Sequence, residues 1–356
     1  MMRRSGKVVG VSPRSKVKLS DVATRAGVSA TTASYVLTGR SAEMRISEST
    51  EQRVRQAVTD LGYRPNRSAQ NLRTAKTSTV GVISDFVASG HFSSQMLAGA
   101  SEAALQRDHL LVIGETGGDA EVERLLIEEM IDRQVDGIVY VTRTGLEIQV
   151  PEKLAGTRTV LLNCFDLASP LPAFVPDEFG GGRTAAGVLL DAGVTGDIHL
   201  VGETPPDTFA GPERLAGIND RLAEVGRSVA SVVSCPWAVE EAYEATHAWL
   251  STGARPGGLI CLNDRVAMGV YEALAEHGFD IPGDVSVVSF DGSELATWLR
   301  PRVISVALPF LELGAQAVNA LLDPEPLAPG VVRLPMPLMP GGSVPAFPTT
   351  KEQPDV

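Results

Sequence analysis

The sequence has few cysteines and no long apolar stretch, and each of these absences narrows the class of protein. Its 356 residues include only 3 cysteines, Cys164, Cys235 and Cys261, which are far apart and form no CxxC pair. Isolated cysteines of this kind predict buried thiols in a reducing cytoplasm. The apolar runs, such as residues 110–113, are far shorter than the roughly 20 residues of a membrane-spanning helix, so we expect no membrane partner. The basic residues 1–18 also lack the apolar segment of a secretory signal.

Motifs for catalysis and metal binding are absent as well. No GxSxG, HExxH, Walker A or strand-following GxGxxG pattern occurs, and the 5 histidines are dispersed without the spacing of metal ligands. The run Gly180-Gly181-Gly182-Arg183 suggests a phosphate loop only weakly, and we expect it to begin a helix after Asp177. The sequence therefore predicts neither an enzyme nor a resident metal or cofactor.

The net charge of −12 conceals a division of the chain into a basic and an acidic part. Residues 1–76 hold 15 Lys and Arg against 5 Asp and Glu, a net of +10, and the remaining residues hold 16 against 38, a net of −22. A basic block joined to an acidic body indicates that only the block meets a polyanion. A solvated basic tail would have the same charge, so the pattern of helices within the block is needed to distinguish the two interpretations.

The basic block contains the signals of three short helices. They are expected at about residues 20–26, 30–37 and 48–61. Ser29 and Ser47 are suitable N-caps, and Gly27 and Gly62 are suitable residues for ending a helix. Two short helices around a tight glycine turn have the geometry of a helix–turn–helix, whose second helix enters the major groove of DNA. This pattern favours DNA binding over a generic three-helix bundle.

From about residue 80 the pattern changes to apolar, strand-like runs that alternate with helical stretches. The strands are expected at residues 80–83, 110–113, 137–141, 159–162, 198–201, 232–233, 259–262 and 285–290, and helices at 94–106, 120–133 and 264–277. This alternation predicts parallel sheets built from βαβ units. Because about 250 residues exceed a single sheet of five or six strands, we expect two similar lobes.

Several segments resemble one known family. LSDVATRAGVSATTASYVLT, from Leu19 to Thr38, resembles the headpiece of the lactose-repressor (LacI/GalR) family, and GYRPNRSAQNL, from residue 62, is similar to its hinge. Residues 257–274 and 281–292 are similar to its second-lobe signatures. The resemblance implies a small all-α helix-turn-helix headpiece joined to a two-lobed α/β body with parallel sheets, similar to periplasmic binding proteins.

The charge division and the resemblance together predict the organisation of the chain. We expect a basic leader (1–18), a DNA-binding headpiece (19–64), a hinge helix and linker (65–76), a body for effector binding and dimerisation (77–347) and a loose tail (348–356). Within the body we expect a first lobe at about 77–175 and 307–327, and a second lobe at about 176–306 and 328–347.

The resemblance also implies roles for individual residues at the DNA. It assigns base reading to Ala30, Thr31 and Tyr35, phosphate contacts to Ser29, Thr32, Ser34 and Asn66, and minor-groove insertion to Ala69 and Leu72. Leu72 would be the apolar wedge that kinks the duplex, with packing inside a helix as the alternative. Ala33, Tyr35 and a longer turn at residues 39–45 depart from the family's pattern, so its operator sequence does not carry over.

In the body, the resemblance places a ligand in the cleft between the lobes. The implied contacts are Asp85, Phe92, Asn163, Arg214, Trp237, Asn263, Asp291 and Phe310. Arg, Asn and Asp side chains can bracket vicinal hydroxyls, and Trp237 and Phe310 would present apolar faces to a ring. The alternatives are a surface ion pair for Arg214, a helix cap for Asp291 and core packing for Trp237.

We therefore interpret the chain as a homodimeric, cytoplasmic and nucleoid-associated repressor. Its affinity for operator DNA would be set by a small effector, expected to be a sugar or glycoside. The alternatives are a small-molecule sensor without DNA function, an α/β enzyme with an accessory DNA module, and a corepressor-type regulator that responds to a nucleobase. No C-terminal heptad run is visible, which argues against a helix-mediated tetramer.

Overall fold

The computed structural model describes residues 17–64, 76–87, 94–204, 208–326 and 328–345. The chain divides into two compact units, Met1–Thr77 and Ser78–Val356. Within the described ranges, no helix has both the length and the apolar character needed to cross a membrane.

In its described residues 17–64, the first unit is a headpiece of three helices. They are α1 (Leu19–Ala26), α2 (Ala30–Leu37) and α3 (Glu48–Leu61), so the predicted helices are confirmed. Gly27 and Gly62 have φ of 67° and 60°, a left-handed conformation that glycine adopts without strain and that ends α1 and α3. Val22, Ala33 and Val54 bring one apolar face of each helix into a common core. The opposite face of α2 remains accessible.

The second unit alternates strands and helices, as the sequence predicts. Its strands are β1 (Thr79–Ser84), β2 (Leu110–Glu115), β3 (Gly137–Glu147), β4 (Thr159–Phe165), β5 (Pro172–Pro176), β6 (Ile198–Val201), β7 (Val232–Val233), β8 (Gly258–Cys261), β9 (Ser286–Asp291), β10 (Ile304–Ala307), β11 (Gly330–Leu334) and β12 (Leu338–Met339). Its α-helices are α4 (Ser94–Gln106), α5 (Ala120–Asp132), α6 (Glu178–Asp191), α7 (Ala210–Ala223), α8 (Val239–Ser251), α9 (Asp264–Glu276), α10 (Glu294–Trp298) and α11 (Phe310–Leu322).

These strands form two sheets, one in each lobe. The orders are β11-β5-β4-β3-β1-β2 in the first lobe and β12-β10-β9-β8-β6-β7 in the second. Among the described strands, β10 and β12 pair antiparallel and the other pairs are parallel. Apolar side chains between each sheet and its helices form separate cores. The three cysteines are buried free thiols, as expected.

The boundary between the lobes near the C-terminus differs from the prediction. Residues 328–347 were expected in the second lobe, but β11 pairs in parallel with β5 of the first sheet, with Val332 opposite Phe174. The chain returns to the second sheet only at β12, where Leu338 lies opposite Val306. The prediction was wrong for residues 330–334 because the sequence pattern of a short edge strand does not specify which sheet it extends.

Glycines set how closely α6 and α7 approach. A Cβ added at Gly182 would overlap the carbonyl oxygen of Arg214, and one added at Gly217 would overlap that of Phe179. Asp177 caps α6, because its Oδ1 accepts a hydrogen bond from the Gly180 amide at 3.0 Å. The glycine run thus begins a helix after Asp177, as expected. The tight crossing places the first turn of α6 against the first turns of α7.

Candidate functional site

The start of α2 in the headpiece holds four of the residues that are predicted to meet DNA, Ser29, Ala30, Thr31 and Thr32. Ser29 caps this helix: its Oγ accepts a hydrogen bond from the Thr32 amide at 3.0 Å and lies 2.8 Å from the Thr32 hydroxyl. Ala30 and Thr31 are exposed, and Ser34 is partly exposed. The cap and the burial of the opposite face leave a small, hydroxyl-rich surface at the amino end of α2. Such a surface can approach phosphates and base edges closely.

An arginine that the sequence analysis did not single out lies over Tyr35. The guanidinium carbon of Arg40 is 5.3 Å from the centre of the Tyr35 ring, within cation–π range. Glu43 accepts hydrogen bonds from Arg40 Nε at 2.7 Å and Nη2 at 2.6 Å. Both charged residues belong to the longer turn at residues 39–45. This turn therefore supports the tyrosine that stands at a predicted base-reading position.

Three of the predicted DNA contacts and one predicted effector contact are not among the described residues. Asn66, Ala69 and Leu72 of the expected hinge and Phe92 of the first lobe fall outside the described residues, as does most of the basic leader. Their assignments stay predictions.

Four predicted effector contacts in the second lobe do converge at the carboxyl ends of its strands. Arg214 Nη2 lies 3.5 Å from Asp291 Oδ1, and the Arg214 guanidinium carbon lies 5.3 Å from the centre of the Trp237 ring. Asn263 Nδ2 donates a hydrogen bond to the Trp237 carbonyl oxygen at 3.4 Å. Ligand sites of parallel α/β sheets commonly form at this edge. We refer to Glu178, Arg214, Trp237, Asn263 and Asp291 as the second-lobe cluster.

Glu178 belongs to this cluster, although sequence reasoning missed it. Arg214 donates hydrogen bonds to Glu178 through Nε at 2.6 Å and through Nη2 at 3.2 Å, and the two side chains are 1% and 3% exposed. The alternative of a surface ion pair for Arg214 is therefore wrong, because the pair is buried. The sequence carries little signal for Glu178, since an acidic residue in the first turn of a helix is common for its interaction with the helix dipole.

The Arg214 side chain is enclosed on all sides. It makes two further hydrogen bonds of 3.5 Å to Asp291 and one to the Leu262 carbonyl oxygen. Its guanidinium carbon also lies 4.5 Å from the centre of the Phe290 ring, so the cation has aromatic neighbours in Phe290 and Trp237. Burial alone would lower the pKa of Arg214, but the charges of Glu178 and Asp291 raise it above its ordinary value. Arg214 is a fixed cation.

Asp291 is the carboxyl group of the cluster that is still partly accessible, with 16% of its side chain exposed. Its φ of 97° is unusual for a residue other than glycine and turns the chain sharply at the end of β9. Burial raises the pKa of Asp291 to about 7, against the lowering effect of Arg214. This carboxyl group therefore changes its ionisation near neutral pH.

Asp264 and Asn263 have structural partners beside the cluster. Asn263 Oδ1 accepts a hydrogen bond from the Val266 amide at 2.8 Å and caps α9. The Asp264 carboxylate accepts hydrogen bonds from the hydroxyls of Ser289, Ser293 and Ser305. Burial nonetheless raises the pKa of Asp264, against those hydrogen bonds. The side-chain oxygen of Asn263 is thus occupied by the helix cap, and Asp264 is a buried carboxylate that holds three serine hydroxyls.

The predicted first-lobe contacts form a separate group. Asp85 Oδ1 accepts a hydrogen bond from the Arg143 amide at 2.8 Å, and Asn163 Nδ2 donates one to the Arg143 carbonyl oxygen at 3.1 Å. Both side chains thereby hold the backbone of β3 near Arg143. Phe310, in contrast, is 4% exposed and packs in the first-lobe core, which leaves it little surface for a ligand.

The helix that carries Arg214 also contacts the first lobe. The amide of Phe209, just before α7, donates a hydrogen bond to the Gly145 carbonyl oxygen at 3.3 Å, and its ring centre lies 5.4 Å from that of Phe165. Arg333 of β11 pairs with Glu213 of α7 at 3.3 Å. A displacement of α7 would therefore change contacts in both lobes.

A helix-turn-helix headpiece followed by a two-lobed α/β body with a polar cluster at the strand ends defines the class of ligand-responsive DNA-binding regulators. Residues 18–66 match the family model "Bacterial regulatory proteins, lacI family", and residues 186–344 match that of the periplasmic binding protein-like domain. The chain belongs to the LacI family and is a DNA-binding transcriptional regulator.

Similar proteins cover nearly the whole chain. The HTH-type transcriptional regulator AscG of Escherichia coli (strain K12) is 30% identical over 308 residues, which are 85% of this chain and 90% of AscG. The HTH-type transcriptional repressor PurR of Vibrio campbellii is 28% identical over 314 residues, 86% of this chain and 91% of PurR. The crystal structure of the lac repressor dimer bound to operator and the anti-inducer ONPF matches with a TM-score of 0.74 at 25% identity, covering 92% of this chain and 98% of the repressor chain.

Proposed function

We propose that this regulator is a homodimeric repressor whose affinity for operator DNA is controlled by a neutral, hydroxylated effector, a sugar or glycoside, bound at the second-lobe cluster. The observation that carries the proposal is the placement of Asp291, a partly exposed carboxyl group, beside Arg214, whose guanidinium lies over the Trp237 ring. A carboxylate accepts hydrogen bonds from hydroxyls, and an indole ring offers an apolar face for a sugar ring. The lac repressor, which has been solved bound to ONPG, is a similar protein of 25% identity.

For DNA binding we propose the roles that the resemblance implies. Ala30, Thr31 and Tyr35 would read bases, and Ser29, Thr32 and Ser34 would contact phosphates. The position of Ser29, Ala30, Thr31 and Thr32 at the capped amino end of α2, with Ser34 and Tyr35 further along the same helix, supports this assignment. Asn66, Ala69 and Leu72 would contact the backbone and minor groove from the hinge. A protein with these activities would be associated with the nucleoid in the cytoplasm.

The homodimer has its own support in the first lobe. Leu110, Val112 and Ile113 on β2, which lies at the edge of its sheet, are exposed, as are Val122 and Leu125 on the adjoining α5. An exposed apolar edge strand is a site for pairing with another chain. The solved relative bound to operator is a dimer, which makes a second copy of this chain the proposed occupant.

The proposal is tested with the full-length chain and a random duplex library. Repeated selection should enrich an inverted repeat of two half-sites, because two headpieces bind it together. Affinity for that sequence should fall on the order of a thousandfold between about 50 and 200 mM salt, since several Lys and Arg neutralise phosphates. Enrichment of no inverted repeat, or binding that salt does not weaken, would contradict operator binding by a dimer.

A corepressor-type response to a nucleobase is the second candidate, because the indole ring of Trp237 could stack on a planar base as well as on a sugar ring. A panel of neutral sugars, glycosides and nucleobases separates the two by thermal shift, because a bound ligand raises the unfolding temperature. Sugars that stabilise the protein and weaken operator binding would support the first candidate. Nucleobases that stabilise it and strengthen operator binding would replace it with the second.

A further inference from the structure

We infer that Glu178 makes the second-lobe cluster select against anionic effectors, because it neutralises Arg214 and leaves the pocket wall with a net negative charge. The effector then binds through hydrogen-bond donors, such as hydroxyl or amino groups. This inference rests on the proposed effector site and names a residue that determines its specificity.

The first argument is the balance of charge around Arg214. Above about pH 7, where Asp291 is ionised, one guanidinium faces two carboxylates, Glu178 at 2.6 Å and Asp291 at 3.5 Å. A third carboxyl group, Asp264, lies behind them and acts on Asp291, while the exposed Arg265 offsets it only in part. An anion that enters here meets more negative than positive charge, in surroundings that screen charge poorly.

The second argument is that the hydrogen-bond donors of Arg214 are already used. A guanidinium has five N–H groups. Two of them donate to Glu178, one to the Leu262 carbonyl oxygen and two to Asp291. A phosphate or carboxylate that sought a bidentate bond with Arg214 would therefore have to displace a protein acceptor.

The third argument is that the two edges of the guanidinium are held differently. The Glu178 edge has bonds of 2.6 and 3.2 Å, within the usual range, whereas both bonds to Asp291 are 3.5 Å and weak. Asp291, which is 16% exposed, is therefore the member of the pair that an effector can contact. A hydroxyl group can donate a hydrogen bond to the ionised Asp291 carboxylate, which an anionic group without a proton cannot do.

The test uses sulfate as a probe, so it does not depend on knowing the effector. Sulfate binding to the full-length protein is measured by calorimetry at constant ionic strength and pH 8 in four forms: wild type, Glu178→Gln, Asp291→Asn and the double variant. Each substitution keeps the side-chain shape and removes one negative charge. We expect sulfate to bind at the pocket of the double variant with an affinity at least about tenfold above the highest affinity that the wild-type titration allows.

Two controls assign the gain to Arg214. Glu213 precedes Arg214 in the sequence but pairs with Arg333. Glu213→Gln therefore removes one negative charge outside the second-lobe cluster, and this variant should bind sulfate no better than wild type. Adding Arg214→Met to the double variant should abolish the gain, which separates the pocket from the basic headpiece. If circular dichroism shows that the double variant does not fold, the test uses the two single variants, each of which should show a smaller increase in sulfate affinity. Tight sulfate binding to wild type, or a gain that survives Arg214→Met, overturns the inference.

Sugar probes distinguish this inference from the proposed function. For any neutral sugar that stabilises wild type, the corresponding uronic acid should bind at least about tenfold more weakly to wild type. Glu178→Gln should reduce that difference. A uronic acid that binds wild type as well as its neutral partner refutes the inference and leaves the sugar proposal standing. If no sugar binds, the sugar proposal fails, and the sulfate series still decides the charge selection.

Discussion

Arg214 Nε lies 2.6 Å from Glu178 Oε2, and both side chains are almost completely buried. Removing one partner of a buried ion pair leaves an uncompensated charge, which typically costs about 3–5 kcal/mol. Arg214→Met leaves the two carboxylates Glu178 and Asp291 without a cation, whereas Glu178→Leu leaves Arg214 with Asp291. The lone arginine is thus the more critical member of the cluster.

We therefore expect Arg214→Met to lower the free energy of unfolding of the body by about 3–5 kcal/mol and Glu178→Leu to lower it by less. Urea denaturation followed by circular dichroism measures both. The double variant Glu178→Leu/Arg214→Met should recover part of the loss, because Asp291 is then the only unpaired carboxyl of the cluster. Equal losses in the two single variants would mean that Asp291 contributes no compensation.

The close crossing of α6 and α7 depends on Gly182. A Cβ at this position would overlap the carbonyl oxygen of Arg214, so Gly182→Ala must push the helices apart and should destabilise the body by about 1–3 kcal/mol. Gly187, on the same helix, is the matched control because its added Cβ would lie 3.7 Å from Arg221 Nε, an ordinary contact. Gly187→Ala should be neutral or stabilising by roughly 0.5–1 kcal/mol. A similar effect of both substitutions on the urea midpoint would refute this account.

Ser29 links the stability of the headpiece to its DNA affinity. Its Oγ accepts a hydrogen bond from the Thr32 amide at 3.0 Å, and Ser47 makes the corresponding bond to the Thr50 amide at 3.4 Å at the start of α3. Each serine-to-alanine change should destabilise the headpiece by about 1 kcal/mol. Only Ser29→Ala should also weaken operator binding beyond the effect of stability, because Ser29 is proposed to contact phosphate. Fluorescence anisotropy compares the two variants, and equal affinities would argue against that contact.

Asp291 predicts a specific pH dependence of stability. Its pKa is raised to about 7 from 3.8, so the folded protein keeps this proton over a pH range in which the unfolded chain has lost it. The stability that this group contributes is therefore lost as the pH rises from about 4 to about 7, at no more than about 1.4 kcal/mol per pH unit. Asp291→Asn removes the titration. The unfolding free energy of wild type minus that of the variant should fall across this range and level off above pH 7, and a flat difference would refute the prediction.

Phe209 is expected to transmit the effector signal between the lobes. Its amide donates to the Gly145 carbonyl oxygen, its ring lies beside Phe165, and it directly precedes the helix that carries Arg214. Phe209→Ala should therefore reduce the coupling between effector and operator by about 0.5–2 kcal/mol while the effector still binds. Phe279→Ala serves as the control, since Phe279 lies with Gly196 and Gly257 beside the amino ends of the strands. Unchanged coupling in Phe209→Ala would place the lobe connection elsewhere.

The helices of the headpiece could be predicted from the amino-acid sequence alone. The helices and their ends depend on local signals: Ser29 and Ser47 as caps, Gly27 and Gly62 as left-handed ends, and apolar residues at helical spacing. The alternation of strands and helices likewise predicted parallel sheets. The resemblance to the family named Arg214 and Asp291 residue by residue. Their proximity follows because the carboxyl ends of parallel strands meet at one edge of the sheet.

Features that depend on contacts between distant segments could not be predicted from the sequence. Glu178 joins Arg214 across 36 residues of sequence because two glycines let their helices cross closely, and no local pattern encodes that crossing. The strand at residues 330–334 extends the first sheet, because an edge strand's partner is set by packing rather than by its own alternation of side chains. The pKa of Asp291 follows from burial and neighbouring charge, which exist only once the chain has folded.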